Sequence, residues 1–549
     1  MGVLNRGLLT TVLRAVLTLC VSAVLAAPLA VAWGIGRTEI TDYLGANEVT
    51  IAVDYTGETR LDLGLLGNAY LPMAYGPVGL TVTAHGFSDG ADGSILSENT
   101  LKSYLNLYYD PQQAMAGIEQ GLVDNAVGHI VWAEITLVLI MIGWTQRRRF
   151  LSPRLVRISG GRRGVLGYLV VMITVSAVVI APPARQPTER YDVTVADGTR
   201  FAGLTVDSAV LADLLDRGVA GVSKMADRQQ ASMNDYVDQV TSQLIKDSYK
   251  LSPPQPSEQL IFGISDLHCN LAMIRIWSQL VTMTQPELVF SNGDDTMNGT
   301  ATEKSCVTRE RAIAANRPFV DVGGNHDSPI TERQMKDAGA TVLDGKVTEV
   351  DSVRFLGDDD PQYNPPFSTT RIQERNEAEA QLGQRMINQA AGRNVDVISV
   401  HQPDAAWPIV RATEPPAKLI TWGHLHVQYG PEVITHPDGS WTVALQMGTA
   451  GGVAAPTITS FSTPFSPPRT SADGYFFYRD RATGLITAVQ PVHCMPNGSV
   501  VVDDKIPTGD LADLPPETRN RLGGGAATPS PTGTPVRSPD PSQTATPAR

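Results

Sequence analysis

Phe319-Val320-Asp321-Val322 runs straight into Gly323-Gly324-Asn325-His326-Asp327, so an apolar run stops on a polar signature. The same construction recurs four times between residues 260 and 426. Upstream, Leu260-Ile261-Phe262-Gly263-Ile264 leads into Ser265-Asp266-Leu267-His268, and Leu288-Val289-Phe290 leads into Ser291-Asn292-Gly293-Asp294-Asp295. Downstream, Val395-Asp396-Val397-Ile398-Ser399-Val400 leads into His401, and Leu419-Ile420-Thr421-Trp422 leads into Gly423-His424-Leu425-His426. Short runs rich in β-branched residues, bounded by Gly and polar residues, read as buried strands. In α/β sheets, ligand-handling residues sit just past the carboxyl ends of strands. The pattern therefore predicts five strand ends bringing Asp266, His268, Asp294, Asn325, His326, His401, His424 and His426 to one rim.

These residue types suit a two-metal site. Divalent ions of intermediate softness take imidazole nitrogen together with carboxylate or amide oxygen. Asp266 and His268 are two apart, as are His424 and His426. Residues i and i+2 of an extended backbone point the same way, so each pair can reach one ion. Five of the nine His lie in these signatures. The bland alternative is a scatter of core and surface His and Asp. It explains any one pair, but not five signatures in order, each behind an apolar run.

The ordered set Asp-x-His, Gly-Asp, Gly-Asn-His-Asp, His and Gly-His-x-His resembles the calcineurin-like metallophosphoesterase superfamily over roughly residues 258–452. The resemblance implies an α/β fold of two stacked sheets flanked by helices, an αββα sandwich. It also implies roles. One ion takes Asp266, His268 and His426, a second takes Asn325, His401 and His424, and Asp294 bridges both. His326 stands by the leaving group, as catalytic residue. Asp295 and Asp327 have no ligand role in that pattern and read as supporting groups. Two divalent ions about 3.5–4 Å apart hold a hydroxide and grip phosphoryl oxygens, which is the chemistry of phosphate mono- or diester hydrolysis. The donor set suits Mn, Fe or Zn. The rival is an inactive membrane-anchored sensor or binding protein on the same fold; inactive copies usually lose ligands, and none is missing here.

The rest of the chain reads as a membrane anchor. At 549 residues it is too long for one compact domain. A net charge of −13 argues against a nucleic-acid groove, so nucleic acid is not expected as a partner. The expected partners are the lipid bilayer and a small-molecule, lipid or envelope phosphoester. Arg6 and Arg14 precede an uncharged run over 15–35, long enough to span a bilayer. Its rival is a cleaved signal peptide with a small-x-small site at Ala30-Val31-Ala32, but the apolar run exceeds the usual signal core. A second span is read at 126–144 and a third at 164–183. Between them Arg147, Arg148, Arg149, Arg154, Arg157, Arg162 and Arg163 give a positive-inside signal, so the loop 145–163 is expected in the cytoplasm. That topology places the phosphoesterase domain, 258–505, outside.

Three membrane helices are thus expected, with a small β-rich membrane-proximal domain. It comprises 37–125 and a β segment at 184–207. Within it, Val49, Ile51, Val53 and Tyr55 alternate, Thr56-Gly57-Glu58 turns the chain, and Leu61, Leu63 and Leu65 alternate, a hairpin pattern. Residues 208–250 have helical periodicity and read as a stalk packed on the catalytic domain. Helices are predicted over 270–280, 303–316 and 371–391, and strands over 342–355, 441–446, 475–478 and 485–492. Asp358-Asp359-Asp360-Pro361 is read as a solvated acidic turn. For Cys269 and Cys306, a disulfide, buried thiols and thiolate ligation all stay open, with Cys494 left over. From residue 523 the chain is rich in Gly, Pro, Ser and Thr and is expected to be disordered.

Overall fold

Side chains of strand Glu258–Ile264 face two different cores in alternation, and this alternation explains the layering. Ile261 points to one core with Phe290, Val320, Phe355, Val397, Leu419 and Val443, the space between two sheets. Leu260, Phe262 and Ile264 point to another, with Trp277 and Leu280 and the helical residues Met233, Val237 and Val240. Leu356, Ile398 and Ile420 do the same on the far side, against Leu382, Met386 and Ile409. Period-two alternation in both sheets thus gives four layers, helix, sheet, sheet, helix. This is a computed structural model, and it describes residues 6–44, 47–64, 67–71, 76, 78–87, 111–146, 189–194, 203–362, 372–453 and 467–523.

The eight-stranded sheet runs in the order Thr341–Val342, Phe319–Asp321, Leu288–Ser291, Glu258–Ile264, Ala472–Asp480, Ile486–Cys494 and Val500–Val502, with Ile506–Pro507 also on Ile486–Cys494. The six-stranded sheet runs Thr348–Val350, Val353–Leu356, Val395–Ser399, Ala417–Trp422, Trp441–Gln446 and Tyr429–Thr435. Strands Glu258–Ile264, Leu288–Ser291 and Phe319–Asp321 are mutually parallel, as are Val395–Ser399 and Ala417–Trp422. All five predicted signatures therefore follow carboxyl ends, three from one sheet and two from the other. Helix Leu271–Thr284 starts where Asn270 accepts hydrogen bonds from the N–H groups of Ala272 and Met273.

One charge inside a strand is explained by its partners. Asp396 is 1% exposed, accepts from Lys418 Nζ at 2.6 Å and Arg354 N at 2.9 Å, and lies 3.3 Å from Arg479 Nη2. Burial pushes its carboxyl up, but Lys418 and Arg479 outweigh burial and hold it below the ordinary range. Asp396→Ala strands two buried cations, and equilibrium denaturation should read a loss of about 3–5 kcal/mol. Because the folded pKa is depressed, this contribution is complete above the unfolded value of about 3.9 and fades as pH falls through the folded one.

Residues 39–206 contribute a seven-stranded sheet, in the order Glu39–Leu44, Asn47–Asp54, Gly79–Phe87, Thr59–Asp62, Asn68–Leu71, Thr205–Val206 and Tyr191–Asp192. The expected hairpin is absent. Asn47–Asp54 and Thr59–Asp62 are separated by Gly79–Phe87, which is antiparallel to the first and parallel to the second. The Asp54 carboxylate accepts from Thr56 N at 2.8 Å and from Thr81 Oγ1 at 2.7 Å, so it ties the turn to the inserted strand rather than closing a hairpin.

Two helices are long and apolar enough to cross a membrane, through Ala15–Ile35 and Ala116–Gly143. The second belongs to helix Pro111–Gln146, whose Ile118 and Leu122 are buried against the seven-stranded sheet. Protein thus covers the first part of that apolar window. The two helices cross closely: a Cβ on Gly34 would lie 2.4 Å from Ile130 Cγ1. The basic loop from Arg147, the third span at 164–183 and the tail after Gly523 lie outside the described residues. Among the described residues two such helices are present, not the three expected. The stalk appears as helix Ala209–Asp247, capped by Ser208.

Candidate metal centre

The signature glycines are required by backbone crowding. A Cβ on Gly324 would fall 2.3 Å from Asp294 N, and one on Gly423 would fall 2.3 Å from Asp266 Oδ2. The loops therefore close on one another. His424 N donates to Asp266 Oδ2 at 3.1 Å, and His326 N donates to Asp294 Oδ1 at 2.8 Å.

Two donor groups result. Asp266, His268, Asp294 and His426 each offer an atom within 4.8 Å of the others, and so do Asp294, His401 and His424. Asp294 belongs to both. Its Oδ2 lies 3.7 Å from His268 Nε2 and 3.2 Å from His401 Nε2. His426 Nε2 lies 3.3 Å from Asp266 Oδ1 and 3.1 Å from His268 Nε2. Asn325 Oδ1 lies 2.8 Å from His424 Nδ1, so the amide oxygen joins the second group.

The imidazoles are aimed by their other nitrogens. Nδ1 of His268 donates to Thr296 O at 3.2 Å, Nδ1 of His401 to Asn292 O at 2.9 Å, and Nδ1 of His426 to Val453 O at 2.9 Å. Each Nε2 then faces inward; at His401 and His426 burial is outweighed by Asp294 and Asp266, which raise the imidazole pKa, so a cation would take the place of the Nε2 proton there. His326 follows the same rule, donating from Nδ1 to Met297 O at 2.8 Å. These backbone carbonyls have no sequence signature and were not predicted. Asn292, a member of the second motif with no donor role expected of it, also accepts through its side chain from Thr421 Oγ1 at 3.1 Å.

The electrostatics suit cations. Burial pushes His268 down to about 3, against Asp294, and burial with His401 beside it pushes His424 down to about 4. Both imidazoles are neutral at pH 7, as ligation requires. Burial raises Asp266, but His426 and His401 outweigh it and hold the carboxyl at about 2. His401 Nε2 is buried and makes no hydrogen bond of acceptable geometry despite its 3.2 Å approach to Asp294. An orphaned buried nitrogen facing two carboxylates is what a cation would satisfy. The residues present fit a mixed nitrogen and oxygen metal site.

The backbone at the rim is unusual. Asp266, His268, Asp294, His424 and His426 have φ of 55°, 48°, 57°, 69° and 57°, in the left-handed region. Non-glycine residues held there carry strain, which clusters at functional sites. The extended i, i+2 geometry expected for the two pairs is therefore not what is found. Asp266 and His268 still share a group. His424 and His426 do not, because the left-handed turns send their rings to different groups.

Asp295 and Asp327 stay out of both groups. The Asp327 carboxylate accepts from the N–H groups of Asp295, Thr296 and Gly324 at 3.2, 3.0 and 3.0 Å, and so ties the second signature to the third. Asp295 accepts from Ser291 Oγ at 2.7 Å. Cys269 and Cys306 are joined by a disulfide beside His268, and Cys494 is free and buried. The acidic turn is not solvated: Asp360 is 9% exposed and accepts from Gln402 Nε2 at 2.6 Å, next to His401.

Residues 260–428 match the model of the calcineurin-like phosphoesterase family. Among solved structures, the chain is similar to an archaeal phosphodiesterase at 14% identity, covering 40% of this chain and 98% of that one with a TM-score of 0.22. It is similar to Yfce, a phosphoesterase from E. coli, at 12% identity, 46% and 100% coverage and a TM-score of 0.23. A metallophosphoesterase from Sphaerobacter thermophilus gives 15%, 49% and 100%, and 0.20. These likenesses are too distant to bear on substrate. No curated protein matches the chain.

Proposed function

From the premise that this chain carries a calcineurin-like metallophosphoesterase domain over residues 260–428, we propose that it hydrolyses phosphate mono- or diesters at a dinuclear centre. The carrying observation is the convergence of seven donor residues from five strand ends on two groups that share Asp294. Asp266, His268 and His426 would hold one ion and Asn325, His401 and His424 the other, with Asp294 available to both. Mn, Fe and Zn all suit this set. When bound, the two ions supply charge neutralisation for phosphoryl oxygens and a water of lowered pKa. The protein's own part is orientation. Carbonyls of Thr296, Asn292 and Val453 fix three ligand rings, and the carbonyl of Met297 fixes His326. His326, with Nδ1–H engaged, presents Nε2 to the leaving oxygen and holds the proton that oxygen needs.

The reading is tested with 4-nitrophenyl phosphate and bis(4-nitrophenyl) phosphate plus Mn²⁺. Turnover of at least one, removed by a chelator and restored by metal, is expected. Silence across a broad phosphoester panel would return the domain to a binding role.

We further propose that the enzyme is anchored in a membrane with this domain outside the cytoplasm. The apolar helices through Ala15–Ile35 and Ala116–Gly143 support the anchor, and the seven Arg between 147 and 163 support the side. A topology reporter fused after residue 523 should be active only outside; a cytosolic signal would reverse the assignment.

A further inference from the structure

The turn Ala301–Glu303 belongs to the phosphoesterase fold, yet the membrane-proximal part grips it. Asp42, on strand Glu39–Leu44, is 6% exposed and accepts from Ala301 N at 2.9 Å. Gly117, in helix Pro111–Gln146, lies so close that a Cβ there would fall 1.8 Å from the Ala301 carbonyl oxygen. Lys304 Nζ donates to Gln120 Oε1 of the same helix at 2.7 Å. Ala301 shares one apolar core with Ile118 and Leu122 of that helix and with Val49 and Val82 of the seven-stranded sheet. Backbone contact, ion-dipole contact and apolar packing therefore all converge on one turn.

That turn in its own right holds the loop behind His326. The Glu303 carboxylate is 2% exposed and accepts from Met297 N at 2.8 Å, Thr300 N at 2.9 Å and Thr300 Oγ1 at 3.0 Å. Met297 O receives the Nδ1–H of His326 at 2.8 Å. Three hydrogen bonds in series, Asp42 to Ala301, Glu303 to Met297 and Met297 to His326, connect the membrane-proximal sheet to the imidazole. Between the first two lie only the backbone of 301–303 and the Glu303 side chain. The disulfide Cys269–Cys306 pins the helix that follows the turn, Lys304–Arg311, to the loop after the ligand His268. The turn is thus fixed on its catalytic side by covalent bonding and on its other side by Asp42 and Gly117.

We propose that Asp42 and Gly117 are positioning residues for His326, so that the membrane-proximal sheet and the membrane-directed helix complete the catalytic site of the phosphoesterase domain. The inference rests on the reading of His326 as proton donor to the leaving oxygen. Releasing Ala301 frees the loop 297–300 to shift, and Met297 O carries His326 Nε2 away from that oxygen. Small misplacements of a reacting group cost rate steeply. His401 and His426 hang on the carbonyls of Asn292 and Val453, outside this loop, and Thr296, whose carbonyl aims His268 and adjoins Met297 N, is held separately by Asp327, which accepts from its N and Oγ1 at 3.0 and 2.8 Å.

The test compares a 4-nitrophenyl ester with an alkyl ester, in whichever class the unmodified full chain turns over. Nitrophenolate departs without a proton and an alkoxide does not. In Asp42→Ala, kcat for the alkyl ester should fall by about 10- to 100-fold. For the nitrophenyl ester it should be nearly unchanged, with KM and bound metal as before. Asp42→Asn should restore the alkyl rate, because the amide oxygen still accepts from Ala301 N. A general loosening of the fold would lower both esters together, and that result overturns the proposal, as does no loss at all. If Asp42→Ala does not fold, Gly117→Ala carries the same comparison. His326→Ala is measured alongside. A split in that variant without one in Asp42→Ala overturns this link alone, whereas no split in His326→Ala overturns the role of His326 and this inference with it.

Discussion

Asp294→Asn should lose metal-dependent turnover while the chain stays folded. Among the described residues, Asp294 alone belongs to both donor groups. Its carboxylate is held ionised: burial opposes the charge, but His401 and His326 beside it outweigh burial and keep the pKa well below the ordinary range. The substitution replaces one oxygen by an NH₂ that faces the Nε2 atoms of His268 and His401, where Oδ2 stood 3.7 and 3.2 Å away. A donor then meets nitrogen atoms that should face a cation, and one negative charge is gone from between the two groups. Residues that merely orient ligands are worth about 10- to 100-fold in metal affinity or activity. A shared ligand should exceed that, so a fall in kcat of more than about 100-fold is expected, with metal content reduced on elemental analysis. Asp294 Oδ1 also accepts from His326 N at 2.8 Å, a bond that the Asn side-chain oxygen can still accept, so unfolding is not expected. A variant with full metal and near-native turnover would leave the two-ion reading without its bridge.

His326→Ala should keep its metal and lose turnover selectively. The imidazole supplies no atom to either donor group; its ring stands edge-on to His268 with centroids 5.1 Å apart and its Nδ1 is engaged by Met297 O. General acid catalysis by a placed side chain is worth about 10²–10⁴ in rate. The whole of that loss should appear with alkyl leaving groups, which must be protonated. Little should appear with nitrophenolate. Steady-state rates on the two esters at one pH, with metal content measured on the same samples, read this directly. Equal losses on both would mean that His326 holds the phosphate or the loop instead of a proton.

How much of this was readable from residues alone follows from what each feature depends on. The five strand ends announced themselves, because a buried parallel strand must be apolar along its length and must stop where polar atoms begin. The helix predicted over 270–280 is found at Leu271–Thr284, and the cap that starts it, Asn270, is a local signal, since an N-cap acts on its own next two or three residues. The hairpin at 47–62 was misread for the opposite reason. Alternation tells which face of a strand is buried, not which strand lies beside it, and Gly79–Phe87 arrived from further along the chain. The pairs Asp266/His268 and His424/His426 came to the rim as expected, but on left-handed backbone that spacing does not encode. The acidic turn at 358–360 looked solvated because its burial comes from Gln402 and Glu379, both distant in sequence. The grip of Asp42 on Ala301, 259 positions away, has no local trace at all.

The left-handed rim sets the chain against its own steadiness. Five side chains sit where an L-residue is uncomfortable, at roughly 1 kcal/mol or more each, and the surrounding sheets must hold them there. Glycine at His424 or His426 would relieve that discomfort and in the same stroke remove a donor from the rim. Efforts to toughen such an enzyme by choosing the residue each backbone angle prefers would therefore select, position by position, against its catalysis.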